Sequence, residues 1–555
     1  MEEEQGRKKN NRSNRLLHLL VLLLVLLVGM FIGQVLSLRF SSSRLVRLLA
    51  TDKVGQMLRT IEQRYVDSIS VPALEEAAVR AVLRQLDPHT VFIPASQATA
   101  ATEPLEGNFS GVGMRFTVFH DTVVVVQTTE DGPSRKAGVL PGDRILAVGD
   151  SVMTGLPRLS ERVSSLLRGR DGTSVKISVF RPMSRDTVHM TLTRGVIPIS
   201  SLDVAYMMDA STGFIRLNKF SRHTDEEFVA AVSKLRKQGM SQLILDLRDN
   251  TGGVMESAVE LCAHFLPKGA LIVAAQGRKQ PRLEFRSDGD TLCAGVQLAL
   301  LINESTASAS EIVAGAIQDH DRGVIVGRRS FGKGLIQDQF KFHDGSLLRL
   351  TVARYYTPTG RSIQKSYAQG SEDYYAEVGS RAEHGEMLVR DSMALRDTVR
   401  YKTPGGRTVY GGGGIYPDVF VPVDTTLRLP YAAVPRNVVP TFAFEYVDRN
   451  RRTLSGLKSP QEVVASLDAT ALQAAFECYI SARAGFVWPP RPLSAAARTS
   501  LQRILISSVL DNLFGDQEYF RFSNQSDPMV LRALELLNHP EALSASVPGI
   551  LALKK

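Results

Sequence analysis

Between residues 199 and 327 the chain alternates short apolar runs with amphipathic segments, and this alternation constrains the fold more than any other feature. GFIRLNKF reads as a strand, DEEFVAAVSKLRKQG as a helix closed by Gly239, and SQLILDLRDN as a buried strand. ESAVELCAHFL then reads as a helix, LALLIN as a second buried strand, SEIVAGAIQDH as a helix and GVIVG as a strand. Strands that take turns with helices predict a layered α/β core. Two of the buried strands run directly into polar loops, NTGG and STAS. Open α/β sheets hold ligands at such carboxyl ends.

The second loop begins STASASEI, residues 305–312. One reading is a capping box, with Ser308 as the N-cap and Glu311, three residues on, reaching back to it. The other is chemical. A hydroxyl at a strand-to-helix turn is exposed at the sheet edge, and the free N–H groups of the helix start favour a developing oxyanion. A nucleophilic serine needs a base. His320 lies at the far end of the same helix and His264 inside an apolar one, so neither is well placed. Lys333, in GRRSFGKG between Gly332 and Gly334, is the better candidate. An ordinary lysine titrates near 10.4 and is charged at neutral pH, but burial away from anions makes it a neutral acceptor. Asp319, Asp321 and Asp338 are close in sequence, so their positions in space bear on that charge. Residues 327–333 also fit the G-x-x-x-x-G-K phosphate loop, yet Gly334 replaces the magnesium-binding Ser or Thr and LIQDQFKF beyond it reads as a strand.

At 555 residues the chain is too long for one core, which predicts three or four units. The net charge of +9 comes from 66 basic and 57 acidic residues scattered along the chain, and no basic run points to nucleic acid. Cys262, Cys293 and Cys478 fit neither a zinc motif nor a disulfide framework. Residues 16–36, LLHLLVLLLVLLVGMFIGQVL, hold one histidine and no formal charge, enough helix to cross a bilayer. Arg7, Lys8, Lys9, Arg12 and Arg15 precede this run and predict a cytoplasmic N-terminus with the remainder outside. A cleaved signal peptide is the competing reading, although QVLSLRF offers no A-x-A site. Residues 41–100 read as helices, one of them starting at Pro72 and ending at Asp87-Pro88. From EGNFSGVGMRF, residues 106–116, to TSVKISVFR the pattern is mostly β with two helices, and after Pro430 it turns helical.

Together these residues resemble the carboxy-terminal processing, or tail-specific, proteases. STASASEI is similar to the family's S-A-S-A-S-E-I, with Thr306 in place of the first serine, and DLRDNTGG resembles its D-L-R-x-N-x-G-G. GVGMRF with AGVLPGDRILAVGD resembles a PDZ domain, and YYTPTGRSIQ and YGGGGIYPDVFVP also resemble the family. The resemblance implies a Ser/Lys dyad of Ser308 and Lys333, with Gln337 supporting the lysine. It implies an oxyanion hole from Gly252 or Gly253 and from Ala309. It assigns peptide binding to the loop and strand Gly111, Val112, Gly113, Met114, Arg115 and Phe116, where an exposed edge accepts an added strand. Arg168 is a weaker candidate for a link between PDZ domain and protease core. The expected architecture is multidomain α/β. It comprises a cytoplasmic N-terminus and transmembrane helix (1–40), a helical segment (41–105) and a PDZ domain (106–198). A crotonase-like serine protease core (199–430) and a mostly helical C-terminal domain (431–555) follow. The expected function is a membrane-anchored endopeptidase of the bacterial inner membrane, its catalytic part in the periplasm, cutting proteins with exposed C-terminal tails through an acyl-enzyme. Its partners would be those proteins and, through residues 16–36, the lipid bilayer. No metal, organic cofactor or nucleic acid is implied. A homo-oligomer is left open, and no adaptor is indicated.

Overall fold

The computed structural model describes residues 23–30, 34, 53–155, 157–279, 281–290, 292–392, 399–426, 438–482, 492–539 and 541. The chain forms two compact units, residues 1–85 and 86–555. In the first, the helices Lys53–Arg64 and Val71–Leu83 are described, the second with proline in its first turn, where a missing N–H costs nothing. Among the described residues no helix is long and apolar enough to cross a membrane, which overturns the expected transmembrane helix. Of residues 16–36, residues 23–30 and 34 are helical and the others lie outside the described residues.

The second unit contains the α/β core. Its main sheet has six strands in the order Leu202–Met207, Thr212–Leu217, Gln242–Asp246, Gln297–Ile302, Val324–Gly327 and Val419–Phe420. All neighbours are parallel except the first pair. The apolar runs LIL and LALLI are buried because helices cover both faces of a parallel sheet. On one face the helices Thr224–Lys237, Met255–Ala263 and Ala309–Asp319 build a core with Phe220, Leu245, Leu300 and Val313 fully enclosed. An antiparallel sheet flanks this layer, and its long strand Leu347–Tyr356 pairs with Leu335–Lys341, Leu271–Gly277 and Val91–Ile93. The strand Val91–Ile93 follows Asp87-Pro88 within the segment 41–100 that reads as helices. Three residues are too few to show a two-residue period, and the partner that makes them a strand lies far along the chain.

The β-rich module is an antiparallel sheet in the order Met114–Phe119, Thr122–Thr128, Arg144–Val148, Ser174–Arg181 and Asp186–Thr193, packed on the helix Leu159–Leu167. Its entry strand Asn108–Gly111 pairs with its exit strand Gly195–Pro198. Met114–Phe119 is an edge strand with one partner.

The C-terminal helices run from Val438–Arg449 to Pro528–Asn538. They have a core of their own around Phe442, Phe476 and Leu505. They also touch both neighbours. The last helix lays Met529, Val530, Ala533, Leu536 and Leu537 on the second face of the six-stranded sheet, against Phe214, Ile244, Leu301 and Val326. Arg144 of the β-rich module makes a two-pronged ion pair with Asp448, and Phe119 meets Phe444 edge to face.

Candidate active site

Ser308 sits at the turn from the strand Gln297–Ile302 into the helix Ala309–Asp319, with φ 59° and ψ −117°. A non-glycine residue held there costs of order 1–3 kcal/mol and persists where its surroundings over-determine it. Those surroundings are visible. Asn250, in the NTGG loop, accepts the Ala307 N–H and the Ser310 hydroxyl at its carbonyl, each at 3.0 Å. Thr306, which departs from the family pattern, donates its hydroxyl to Leu247 O at 2.8 Å. The two loops are therefore stitched into one surface.

Glu311 does more than cap. Its fully buried carboxylate accepts the N–H groups of Ser308, Gly332 and Lys333 at 2.8–2.9 Å and the Ser330 hydroxyl at 2.5 Å. Tyr355 completes the tie from the opposite side. Its hydroxyl lies 3.1 Å from Ser308 O and 2.9 Å from Lys333 O. Burial raises the Glu311 carboxyl, and the donated hydrogen bonds only partly reverse this.

Lys333 reaches the same place from the loop before strand Leu335–Lys341. Its amine donates to Gln337 Oε1 at 3.0 Å, and Gln337 Nε2 in turn donates to His89 O at 2.5 Å. Among the described residues the amine makes no hydrogen bond to the Ser308 hydroxyl. Burial first, and then the Arg349 cation, push the ammonium down to about 8, against the opposite pull of Asp87 and Glu311. The aspartates near in sequence are occupied or outside: Asp319 pairs with Arg361 at 2.7 Å, Asp321 with Arg407 at 2.6 Å, and Asp338 is exposed.

Gly252, Gly253, Ser308, Ala309, Lys333 and Gln337 line one cavity of about 1070 Å³. The glycines differ. The Gly252 N–H donates to Asn250 Oδ1 at 2.9 Å, whereas those of Gly253 and Ala309 have no acceptor among the described residues. Gly253 has φ 148°, and a Cβ there would lie 1.9 Å from Phe220 O. That close approach explains the second glycine of the loop.

The competing readings lose their parts. His264 Nε2 is 2.8 Å from Asp225, and His320 Nε2 is 2.7 Å from Leu271 O. The phosphate-loop donors are used internally: Phe331 N–H bonds Thr306 O, Gly332 and Lys333 bond Glu311, and Gly334 bonds Gln364 Oε1.

In the β-rich module Gly111, Val112 and Gly113 are buried at the start of the edge strand. The N–H groups of Val112 and Gly113 have no acceptor among the described residues, leaving two donors beside an open strand edge. Met114 and Phe116 pack toward the module's core, while Arg115 turns away to Asp511, 3.6 Å distant on the C-terminal helices. Arg168 pairs with Glu103 of helix Ala95–Glu106 and lies 4.8 Å over the Phe109 ring. That helix meets the core through Leu105 O, which accepts the Arg222 N–H at 3.0 Å, so Arg168 touches a connector rather than the core itself.

Sequence reasoning missed Asp87, His89, Thr90, Arg349 and Tyr355, all within this arrangement or its support. The Asp-Pro pair marked a turn but gave no sign of what the turn would meet.

This combination of a parallel α/β sheet with a strained serine at its carboxyl edge and a β-rich module carrying a free-donor loop defines a peptidase with a peptide-binding domain. Peptidase family S41 matches residues 211–373 and the PDZ domain family residues 110–192. The chain is 35% identical over 317 residues to the carboxy-terminal-processing protease of Bartonella bacilliformis, covering 56% of this chain and 72% of that one. It is 29% identical over 313 residues to a probable CtpA-like serine protease of Staphylococcus haemolyticus, covering 56% of this chain and 62% of that one, less than two thirds. Among solved structures, a photosystem II D1 C-terminal processing protease is 32% identical, with 55% of this chain and 82% of that chain covered at a TM-score of 0.32. The chain belongs to the carboxy-terminal-processing proteases of family S41 and is a serine-type peptidase with a PDZ domain. The C-terminal helices lie beyond both matched regions.

Proposed function

We propose that the protein is an endopeptidase that binds the exposed C-terminal tail of a protein substrate through its PDZ domain and cuts it with a Ser308/Lys333 dyad. The tail adds as a strand beside Met114–Phe119, its carboxylate on the N–H groups of Val112 and Gly113. Neutral Lys333 Nζ takes the Ser308 proton as Oγ bonds to the scissile carbonyl carbon. The N–H groups of Gly253 and Ala309 hold the resulting oxyanion. Collapse breaks the C–N bond, and the Lys333 ammonium returns its proton to the leaving amine. An acyl-enzyme remains, which water hydrolyses with Lys333 again as base. The amine's hydrogen bond to the hydroxyl tightens when substrate fills the cavity, as such bonds commonly do.

The observation that carries this reading is Lys333 itself. A buried amine with a midpoint of about 8, held by an amide oxygen, opens onto the cavity that contains Ser308. The test uses the purified full chain and a protein substrate with an unfolded tail. Ser308→Ala and Lys333→Ala should each abolish cleavage. Lys333→Arg should also abolish it, because a guanidinium stays protonated. Cleavage retained in Lys333→Arg would remove the lysine from the role of base. The proposal includes a periplasmic catalytic part, read by digestion with a protease added to spheroplasts. Full protection there would overturn that location.

A further inference from the structure

The turn Asp87–Thr90 precedes the PDZ domain and lies far in sequence from both loops of the active site. Yet it forms one wall of the Lys333 environment. His89 presents its backbone carbonyl to Gln337 Nε2 at 2.5 Å, and Gln337 holds the Lys333 amine at 3.0 Å. What holds His89 is Asp87. Its Oδ1 accepts the N–H groups of His89 and Thr90 at 3.0 and 3.2 Å and the Thr351 hydroxyl at 2.9 Å. Its Oδ2 accepts the Thr90 hydroxyl at 2.6 Å. Thr351 N–H closes the ring on Thr90 Oγ1 at 3.1 Å. A carboxylate with four bonds, clamped to the strand that also carries Arg349 and Tyr355, is more than an ordinary turn needs.

The other side of the turn is braced as well. His89 Nε2 lies 2.9 Å from the Tyr374 hydroxyl, Tyr374 is 3.4 Å from Gln364 Nε2, and Gln364 Oε1 accepts the Gly334 N–H at 2.8 Å. The loop 332–337 is thus gripped from two directions, and both grips pass through residues 87–90.

We propose that Asp87 is a positioning residue for the general base: through the His89 carbonyl and the Gln337 amide it fixes where the Lys333 amine points. The inference rests on the Ser308/Lys333 reading above and deepens it. Asp87 touches neither substrate nor reacting atoms; it acts on the carbonyl that orients the amide that orients the amine.

Charge supports the geometry. Lys333 is faced by Arg349 and Tyr355 on the long strand, by Asp87 and His89 on the turn, and by Glu311 from the Ser308 helix, with Lys365 and Tyr374 behind His89, while Asp338 on the following strand is exposed. Burial alone would raise the Asp87 carboxyl, but the bonds from Thr90, Thr351 and the backbone outweigh it and keep the group ionised. Burial and then the Lys333 charge pull the His89 imidazole down to about 4, so that ring is neutral at working pH. Asp87 is the anion on the turn, and its removal lowers the Lys333 midpoint.

The experiment compares the full-length enzyme with Asp87→Asn and Thr351→Val on a tailed peptide, recording kcat, KM and the pH dependence of both. Asp87→Asn should lower the plateau kcat by roughly 10- to 100-fold, as misplacement of a reacting group does, and leave KM within about twofold, because the side chain lies one carbonyl away from the cavity. Its acidic limb should move to lower pH, since an anion that favoured the ammonium has gone. A merely structural defect that admits water would move the limb up instead, because burial is the largest cause of the lowered midpoint. Thr351→Val removes one bond and no charge, so kcat should fall and the limb should not move down. Thr351→Val also carries the test if Asp87→Asn does not fold. Unchanged kcat in whichever of the two variants folds, or a loss confined to KM, overturns the proposal. Lys333→Ala run in parallel separates the two levels. If it is active, the dyad reading itself falls; if it is dead while Asp87→Asn is fully active, the positioning role alone falls.

Discussion

Arg349 makes the state of Lys333 measurable. The amine's midpoint of about 8 compares with 10.5 for an ordinary lysine. At pH 7 the neutral fraction is then about one in ten rather than about one in three thousand, roughly a 300-fold gain in neutral amine. The acidic limb of kcat/KM for the free enzyme should therefore inflect near pH 8 and level off above it. Burial is the largest cause of the displacement and the Arg349 cation the next. Arg349→Gln removes a repelling charge, so the ammonium is less disfavoured and the midpoint climbs. For each pH unit it climbs, activity at pH 7 falls about tenfold while activity above the new midpoint is unchanged in this respect. The assay is hydrolysis of a fluorogenic tailed peptide between pH 6 and 11. Lys365 also titrates near 8, displaced mainly by burial, over the rings of Phe331 and Tyr374 and 3.2 Å from Glu377. A Lys365→Gln enzyme tells the two apart, because its inflection stays if Lys333 is the group observed. An Arg349→Gln limb that stays put or moves to lower pH would refute the electrostatic argument.

Two further outcomes follow from packing. Gly253→Ala sets a methyl 1.9 Å from Phe220 O at φ 148°, so the backbone must shift and carry the N–H proposed for the oxyanion with it; kcat should fall by about 10²- to 10³-fold with Ser308 still in place. Arg144→Ala leaves the half-buried Asp448 without its two-pronged partner at the junction of PDZ domain and C-terminal helices, and should cost about 1.5–3 kcal/mol in thermal or denaturant unfolding; a loss under half a kcal/mol would mean that the junction holds without it.

The α/β core was legible because each of its elements is nearly self-describing. LIL and LALLI are apolar without a break, and the helices around them keep their period. Ser308 and Lys333 stood out because a serine at a strand-to-helix turn and a lysine flanked by glycines are local patterns. Contacts between segments distant in the chain were not legible. The capping-box reading foresaw the bond from Glu311 to Ser308, yet nothing adjacent in sequence announces that the same carboxylate also takes Gly332, Lys333 and Ser330. The Asp87 turn was visible as a helix end, while its partner Thr351 lies on a strand whose pairing only the tertiary fold decides. That the Gly252 N–H is taken up by the Asn250 side chain could not be seen either, because periodicity cannot orient that side chain. The transmembrane helix was an inference from the uncharged run 16–36 and its basic flank, and among the described residues no helix is long and apolar enough to span a bilayer.

The helix Pro528–Asn538, last among the described residues, carries a consequence for how the molecule is made. It supplies the apolar cover for Phe214, Ile244, Leu301 and Val326, yet it leaves the ribosome about a hundred residues after the final strand of that sheet, Val419–Phe420. During synthesis the nascent sheet waits with one greasy side bare, a hazard for clumping that chaperones would have to shield. The peptidase core is therefore covered only once this late segment has been made and has folded back.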